Sequence, residues 1–228
     1  MLEQTREEAV LELEARNTEL GREVAAAHGF IAAMQALAEA MEGELPDSDL
    51  MALLGRVLGD VVRVLEASDG SVLVLDEENG DLVFVLSHGD VPAADLTWRR
   101  IPAGQGIAGW VVANRAAVAV HDAQDDDRFW PAVDRELAFE TRSVLAAPIV
   151  AGARLLGVIE ILNKRDGGRF SDTDRAMLAL LGRFAGSLLA RMTERDRPAA
   201  DAGAAPAPRR GRRRGRGRAA GAATPRPS

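Results

Sequence analysis

Residues 146–174 read AAPIVAGARLLGVIEILNKRDGGRFSDTD, and the reading of this stretch decides the fold. Two apolar strand candidates, Ser143–Val150 and Leu155–Leu162, flank a Gly152-Ala153 turn, and the second ends on Asn163-Lys164. A short glycine-rich loop leads to Phe170, Asp174 stands four residues further on, and an amphipathic helix begins at once. Side chains alternate along a strand, which puts Leu156, Val158 and Glu160 on one face and Gly157, Ile159 and Ile161 on the other. A carboxylate at Glu160 then lies either at the rim of the sheet, facing water, or inside a pocket that has use for a charge.

Working outward, Leu50, Leu53, Leu54, Val57, Leu58, Val61, Val62 and Leu65 form the wide apolar stripe of a helix that covers a sheet, with Asp47 or Ser48 as its cap. Ser71–Leu75 and Leu82–Ser87 read as strands joined by the loop Glu77-Glu78-Asn79-Gly80. Thr97–Ile101 and Ala117–Val120 are shorter strands. Ser171 caps the last helix, whose first turn holds Asp174, where the helix dipole favours a negative charge. Met177, Leu178, Leu181, Phe184, Leu188 and Leu189 form its apolar side. Hairpin-linked strands with helices gathered on one face give an α+β fold with an antiparallel sheet.

The run GVIEILNK, then Phe170, three residues and Asp174, resembles the GAF domain family. It is similar above all to the motif of Asn-Lys, a spaced Phe, three residues and Asp-Glu in members that bind cyclic nucleotides. Asn163, Lys164, Phe170 and Asp174 match, and Arg175 stands where that motif has Glu. The resemblance extends back through IPAGQGIAGWVVANRAAVAVHDAQDDDRFW (101–130) and ETRSVLAAPI (140–149), over residues 50–192. It implies a GAF/PAS-like sensory domain with cyclic AMP or cyclic GMP as candidate ligand. Thr141 and Glu160 are then the expected polar contacts, the alternative for each being a strand-edge residue facing water. Gly106 and Trp110 belong to the loop and short helix that would wall one side of the pocket, or else form a tight turn without a ligand. The resemblance also implies that a Lys164–Asp174 salt bridge, with Asn163 and Phe170, fixes a loop over the site. Asp122 and Phe129 match a D…RF pattern that orders an acidic lid.

Other chemistries are disfavoured. Gly104–Gly109 satisfies G-x-G-x-x-G, but a dinucleotide fingerprint follows a buried apolar strand, whereas Thr97–Pro102 alternates and ends on proline. Asp125, Asp126 and Asp127 are consecutive and cannot all face one ion, so no metal site is expected. The chain has no cysteine, which excludes disulfides, thiolate metal sites and a thiol nucleophile. It equally excludes the cysteine-dependent methionine-sulfoxide reductases and bilin photoreceptors of the family it resembles. No Ser-His-Asp set, paired carboxylate site or phosphate loop is visible, and the expectation is a non-enzymatic module.

The chain ends differ from its middle. Val10, Leu13, Asn17, Leu20, Val24, Ala27, Ile31, Met34, Ala38 and Met41 recur at spacings of three and four, an a/d heptad pattern with Asn17 at an a position. Residues 1–44 therefore read as a coiled-coil helix that makes a homodimer through 10–41, the alternative being a helix packed on its own domain. Residues 48–194 are the sensory domain. The Ala, Pro, Gly and Arg run of 195–228 reads as a disordered tail. The chain is −7 overall, and 198–228 hold eight Arg and one Asp, so a tail of +7 follows a body of −14. Arg209–Arg218 either contact a polyanion such as nucleic acid or only solubilise. In the first case the rival reading is a ligand-free dimer scaffold whose tail does the binding. Without an unbroken apolar run of spanning length or a signal-peptide pattern, a cytoplasmic protein with no integral membrane association is expected. The output protein is not named by any motif.

Overall fold

The computed structural model describes residues 2–43 and 46–195; the Arg209–Arg218 segment lies outside the described residues. Helices α1 (Leu2–Glu42) and α2 (Asp47–Val64) lead into strands β1 (Ala67–Leu75) and β2 (Leu82–His88). A short helix α3 (Ala93–Leu96), a two-residue strand β3 (Arg100–Ile101), helix α4 (Gly106–Asn114) and strand β4 (Val118–Val120) follow. The chain continues through α5 (Ala132–Leu137), β5 (Val144–Ala151), β6 (Arg154–Lys164) and α6 (Asp172–Arg195). The strands form one sheet in the order β3-β2-β1-β6-β5-β4, antiparallel at every pairing.

The long helices α1, α2 and α6 gather on one face, as the apolar stripes require. Leu37, Leu58, Leu145, Ile149, Ile161, Leu178, Leu181 and Leu188 are fully buried there. Each such side chain contributes about 1.5–3 kcal/mol on burial. The opposite face carries only the short helices and their loops, over Leu73, Phe84, Ile101, Ile107, Val111, Val144 and Val158.

Helix α6 sits directly on β5 because two glycines let it. A Cβ on Gly182 would lie 2.4 Å from the Pro148 carbonyl oxygen, and one on Gly186 would lie 2.2 Å from that of Val150. The start of α6 is a reciprocal cap. The Asp174 amide donates to Ser171 Oγ at 3.1 Å, and the Ser171 amide donates back to Asp174 Oδ2 at 2.9 Å, satisfying two otherwise orphaned donors.

Three local readings change. Helix α2 begins right after Pro46, so Asp47 and Ser48 fall in its first turn and not at its cap. Of the expected strand 97–101, Arg100 and Ile101 form the regular pairs with β2, while Trp98, with a left-handed backbone (φ 71°), and Arg99 both bond to Phe84, at 2.9 and 3.0 Å, an irregular end to the strand. The β5–β6 register slips between Ile149 and Val150, and the bulge turns Leu156 to the helix face. Val158 and Glu160 keep the opposite side.

Along α1 two stripes coexist. Ala33, Leu37 and Ala40 are buried, with Phe30 beside them, in the core shared with α2 and α6. The heptad positions Val10, Leu13, Leu20, Val24 and Ile31 stay exposed. By length and composition α1 is apolar enough to cross a membrane; its alanines supply much of that character.

Candidate functional site

On the face away from the long helices, β1, β2 and β6 form the floor of a cavity of ≈ 100 Å³. Its walls are Ile101, the first turn of α4, and the segment from Phe129 to Thr141 that contains α5. Four aromatic side chains, Phe84, Phe129, Trp130 and Phe139, line it. None of the lining residues is Lys or Arg; the ionisable ones are Asp69, His88, Asp134 and Glu160.

The three carboxylates are in different situations. Asp69 of β1 is buried, accepts the Asp90 amide at 2.8 Å and takes the Ser68 hydroxyl as a second donor. Asp134 of α5 accepts the Thr141 amide and the Thr141 hydroxyl, each at 2.8 Å, and Gln124 Nε2 at 3.3 Å. Glu160 is 8 % exposed and, among the described residues, its carboxyl has no hydrogen-bond partner. Burial alone pushes that carboxyl up to about 7, since a charge in an apolar surround is disfavoured.

Register explains what stands beside it. Across the sheet Glu160 is opposite Ser71 of β1, Ser71 is opposite Ser87 of β2, and on the other side Glu160 faces Ala146 of β5. Ser71 Oγ and Ser87 Oγ are buried and also lack a hydrogen-bond partner. Three adjacent strands thus present a row of three unpartnered polar groups to one cavity. An unpaired buried hydroxyl costs about 1–3 kcal/mol, so the row is expensive unless something occupies it.

Opposite in electrical sense is the start of α4. Gln105 at its N-cap makes no side-chain hydrogen bond, and Gly106, Ile107 and Ala108, whose amides are the unpaired donors of a first turn, border the cavity. Gly106 enters the helix with φ 74°, a backbone that favours glycine. The cavity therefore has an unpartnered polar row on its floor and a helix N-terminus, favourable to an anion, in its wall.

The other expected site residues take different places. Thr141 lines the cavity, but its hydroxyl donates to Asp134 and so anchors α5. Phe129 lines it as well. Trp110 does not, because it turns outward under the Arg128 guanidinium, 4.8 Å from the ring centre. Asp122 is exposed and caps nothing. The pair that orders this loop is Asp126 with Arg128, joined by two side-chain hydrogen bonds of 2.8 and 2.6 Å, which hold the Asp126 carboxyl below its usual range.

Asn163, Lys164, Phe170 and Asp174 are absent from the cavity lining. Asn163 is buried with φ 59°. Its Oδ1 accepts the Arg142 amide at 2.7 Å and its Nδ2 donates to the Glu140 carbonyl at 2.9 Å, so it clamps the strand that follows the lid. Lys164 Nζ lies 3.6 Å from Asp174 Oδ2, both side chains 15 % exposed, and 5.6 Å above the Phe170 ring. Phe170 packs into the helix-side core. The motif locks the β6–α6 connection and does not roof the cavity, because the loop leaves the sheet on the helix side.

The profile of the GAF domain matches residues 49–189. The chain belongs to the GAF domain family. Relatives of this GAF chain include the dual 3′,5′-cyclic-AMP and -GMP phosphodiesterase 11A of Takifugu rubripes, 27% identical over 149 residues, 61% of this chain and 16% of that one. The rod cGMP-specific 3′,5′-cyclic phosphodiesterase subunit alpha of Bos taurus is 30% identical over 88 residues, 39% of this chain and 10% of that one. The chain thus spans a small part of these enzymes, and the matched family is that of the GAF domain. Among solved structures, the GAF domain of a phosphoenolpyruvate-protein phosphotransferase from Coxiella burnetii superposes with a TM-score of 0.61 at 19% identity, over 73% of this chain and 97% of that one. Free methionine-R-sulfoxide reductase from Neisseria meningitidis gives 0.59 at 19%, over 75% and 93%. These two show the fold alone.

Proposed function

We propose that this GAF domain is a non-enzymatic sensory module that binds a cyclic nucleotide in the cavity under α5 and relays occupancy through a dimer of α1. The observation that carries the reading is the row Glu160–Ser71–Ser87 facing one cavity: two buried hydroxyls without partners beside a buried carboxyl that has none among the described residues. A scaffold with no ligand has no use for such a row and would gain stability by replacing it with apolar side chains. The relatives are enzymes named for cyclic AMP and cyclic GMP, which selects the ligand class to test. A nucleotide offers both features the cavity asks for, a polar ring edge for the floor and an anionic phosphate for the α4 N-terminus.

The cavity is smaller than the roughly 300 Å³ of the smallest ligand clefts, so entry requires α5 to move. Phe129, Asp134 and Phe139 line both the cavity and an open cleft outside α5, so the lid is one side chain thick. Its fastenings are the Asp134–Thr141 hydrogen bonds and an exposed Arg99–Glu136 ion pair. Closure over a bound ligand supplies the difference in affinity between open and closed states that a switch needs. Titration calorimetry with cyclic AMP and cyclic GMP tests the reading. Saturable binding by the wild type, lost in Glu160→Ala, is the expected result. Silence from both nucleotides in a folded protein removes the ligand class.

A further inference from the structure

Of the carboxyl groups that line the cavity, Glu160 alone is free of hydrogen-bond partners among the described residues and so free to meet a ligand. Asp69 from β1 is held by the Asp90 amide and the Ser68 hydroxyl, and Asp134 from α5 by Thr141 and Gln124. From β5 the facing residues are Val144 and Ala146, and from α4 they are Gly106, Ile107 and Ala108, none ionisable. His88 at the end of β2 is the one other ionisable lining residue. Ser71 and Ser87 carry rotating hydroxyls that donate or accept as required, so they do not choose between ligands by themselves.

We infer, on the reading that the ligand is a cyclic nucleotide, that Glu160 selects between guanine and adenine by its protonation state. An ionised carboxylate presents two acceptors and no donor, which matches the adjacent N1–H and N2–H donors of guanine. Adenine presents a donor, its N6 amino group, beside an acceptor, N1. A carboxylate oxygen against that N1 is repulsive. A protonated carboxyl has one O–H donor and one carbonyl acceptor, the complement of the adenine edge. The same side chain therefore reads guanine when charged and adenine when neutral. Its position on a central strand, flanked by Ser71 and Ala146 and, among the described residues, without an ion-pair partner, leaves both states available. With burial raising the carboxyl to about 7, the changeover falls near neutral pH.

The ratio of the two affinities is then proportional to the ratio of ionised to neutral Glu160. That ratio changes about tenfold per pH unit whatever the midpoint, or about 100-fold between pH 6 and 8. Neither nucleotide ionises in this interval. The test is calorimetric titration of the whole chain with each nucleotide across that range, for wild type, Glu160→Gln and His88→Gln. The expected result is a cyclic GMP to cyclic AMP affinity ratio that climbs with pH in the wild type and in His88→Gln. In Glu160→Gln, whose amide offers one donor and one acceptor at every pH, the ratio is flat and favours cyclic AMP. A flat ratio in a wild type that binds both nucleotides overturns the inference and leaves the ligand assignment standing. A slope that survives Glu160→Gln and disappears in His88→Gln assigns the effect to the histidine and also overturns it. If neither nucleotide binds a folded wild type at any pH, the ligand assignment falls and the inference with it.

Discussion

At Glu160 the folded and unfolded chains hold a proton over different ranges of pH. The carboxyl titrates near its ordinary 4.5 when the chain is unfolded and near 7 when it is buried. Between those values the native state keeps a proton that the unfolded state has released. Stability of the ligand-free protein is therefore full below the lower value, falls as pH rises through the window, and levels off above the upper one. The whole loss is roughly 3 kcal/mol. Urea unfolding from about pH 4 to 8 should show Glu160→Gln matching the wild type at the acid end and exceeding it at the alkaline end; parallel curves would refute this. Strand alternation in GVIEILNK was enough to pose the question of where Glu160 points. Its neighbours were not legible, because Ser71 and Ser87 join it only through cross-strand register, a long-range property of three segments. Asp134 was missed for another reason: a six-residue helix has too few turns to show an apolar period.

Among the elements, α6 and β5 show how close packing limits substitution. Alanine is a better helix former than glycine by about 1 kcal/mol, yet the methyl of Gly186→Ala would meet the Val150 carbonyl at 2.2 Å. Overpacking of this kind costs about 1–3 kcal/mol and outweighs the propensity gain. Gly186→Ala should lower the urea midpoint with little change in slope, and an equal or raised midpoint would mean that α6 can lift off the sheet freely. The long elements were legible because their apolar periods are long: α2, β5, β6 and α6 lie within a few residues of where the sequence put them. The failures sit where geometry is set by one residue, as at Trp98, which ends an alternating run, or at the Leu156 bulge, which reverses one side chain.

For the whole molecule the open question is what covers the exposed stripe Val10, Leu13, Leu20, Val24 and Ile31. A second copy in parallel register is the expected occupant, since the spacing is that of a heptad with Asn17 at one a position. Sedimentation equilibrium should report a dimer for the wild type and a monomer for Leu13→Glu/Leu20→Glu, with nucleotide affinity measured in both. A wild type that stays monomeric at tens of micromolar would remove the dimer and the relay with it. The seat of α1 on its own domain has a mechanical consequence. The contacts of α1 with its own domain run from Arg22, paired with Glu66 at 3.9 Å, through Gly29 against Val64 to Met41, and the residues before them (2–21) project for about 30 Å at 1.5 Å per residue. Such a helix is a lever pivoting where the grip begins. A tilt of about 5° there displaces the far tip by about 3 Å, close to the rise of two residues along a helix.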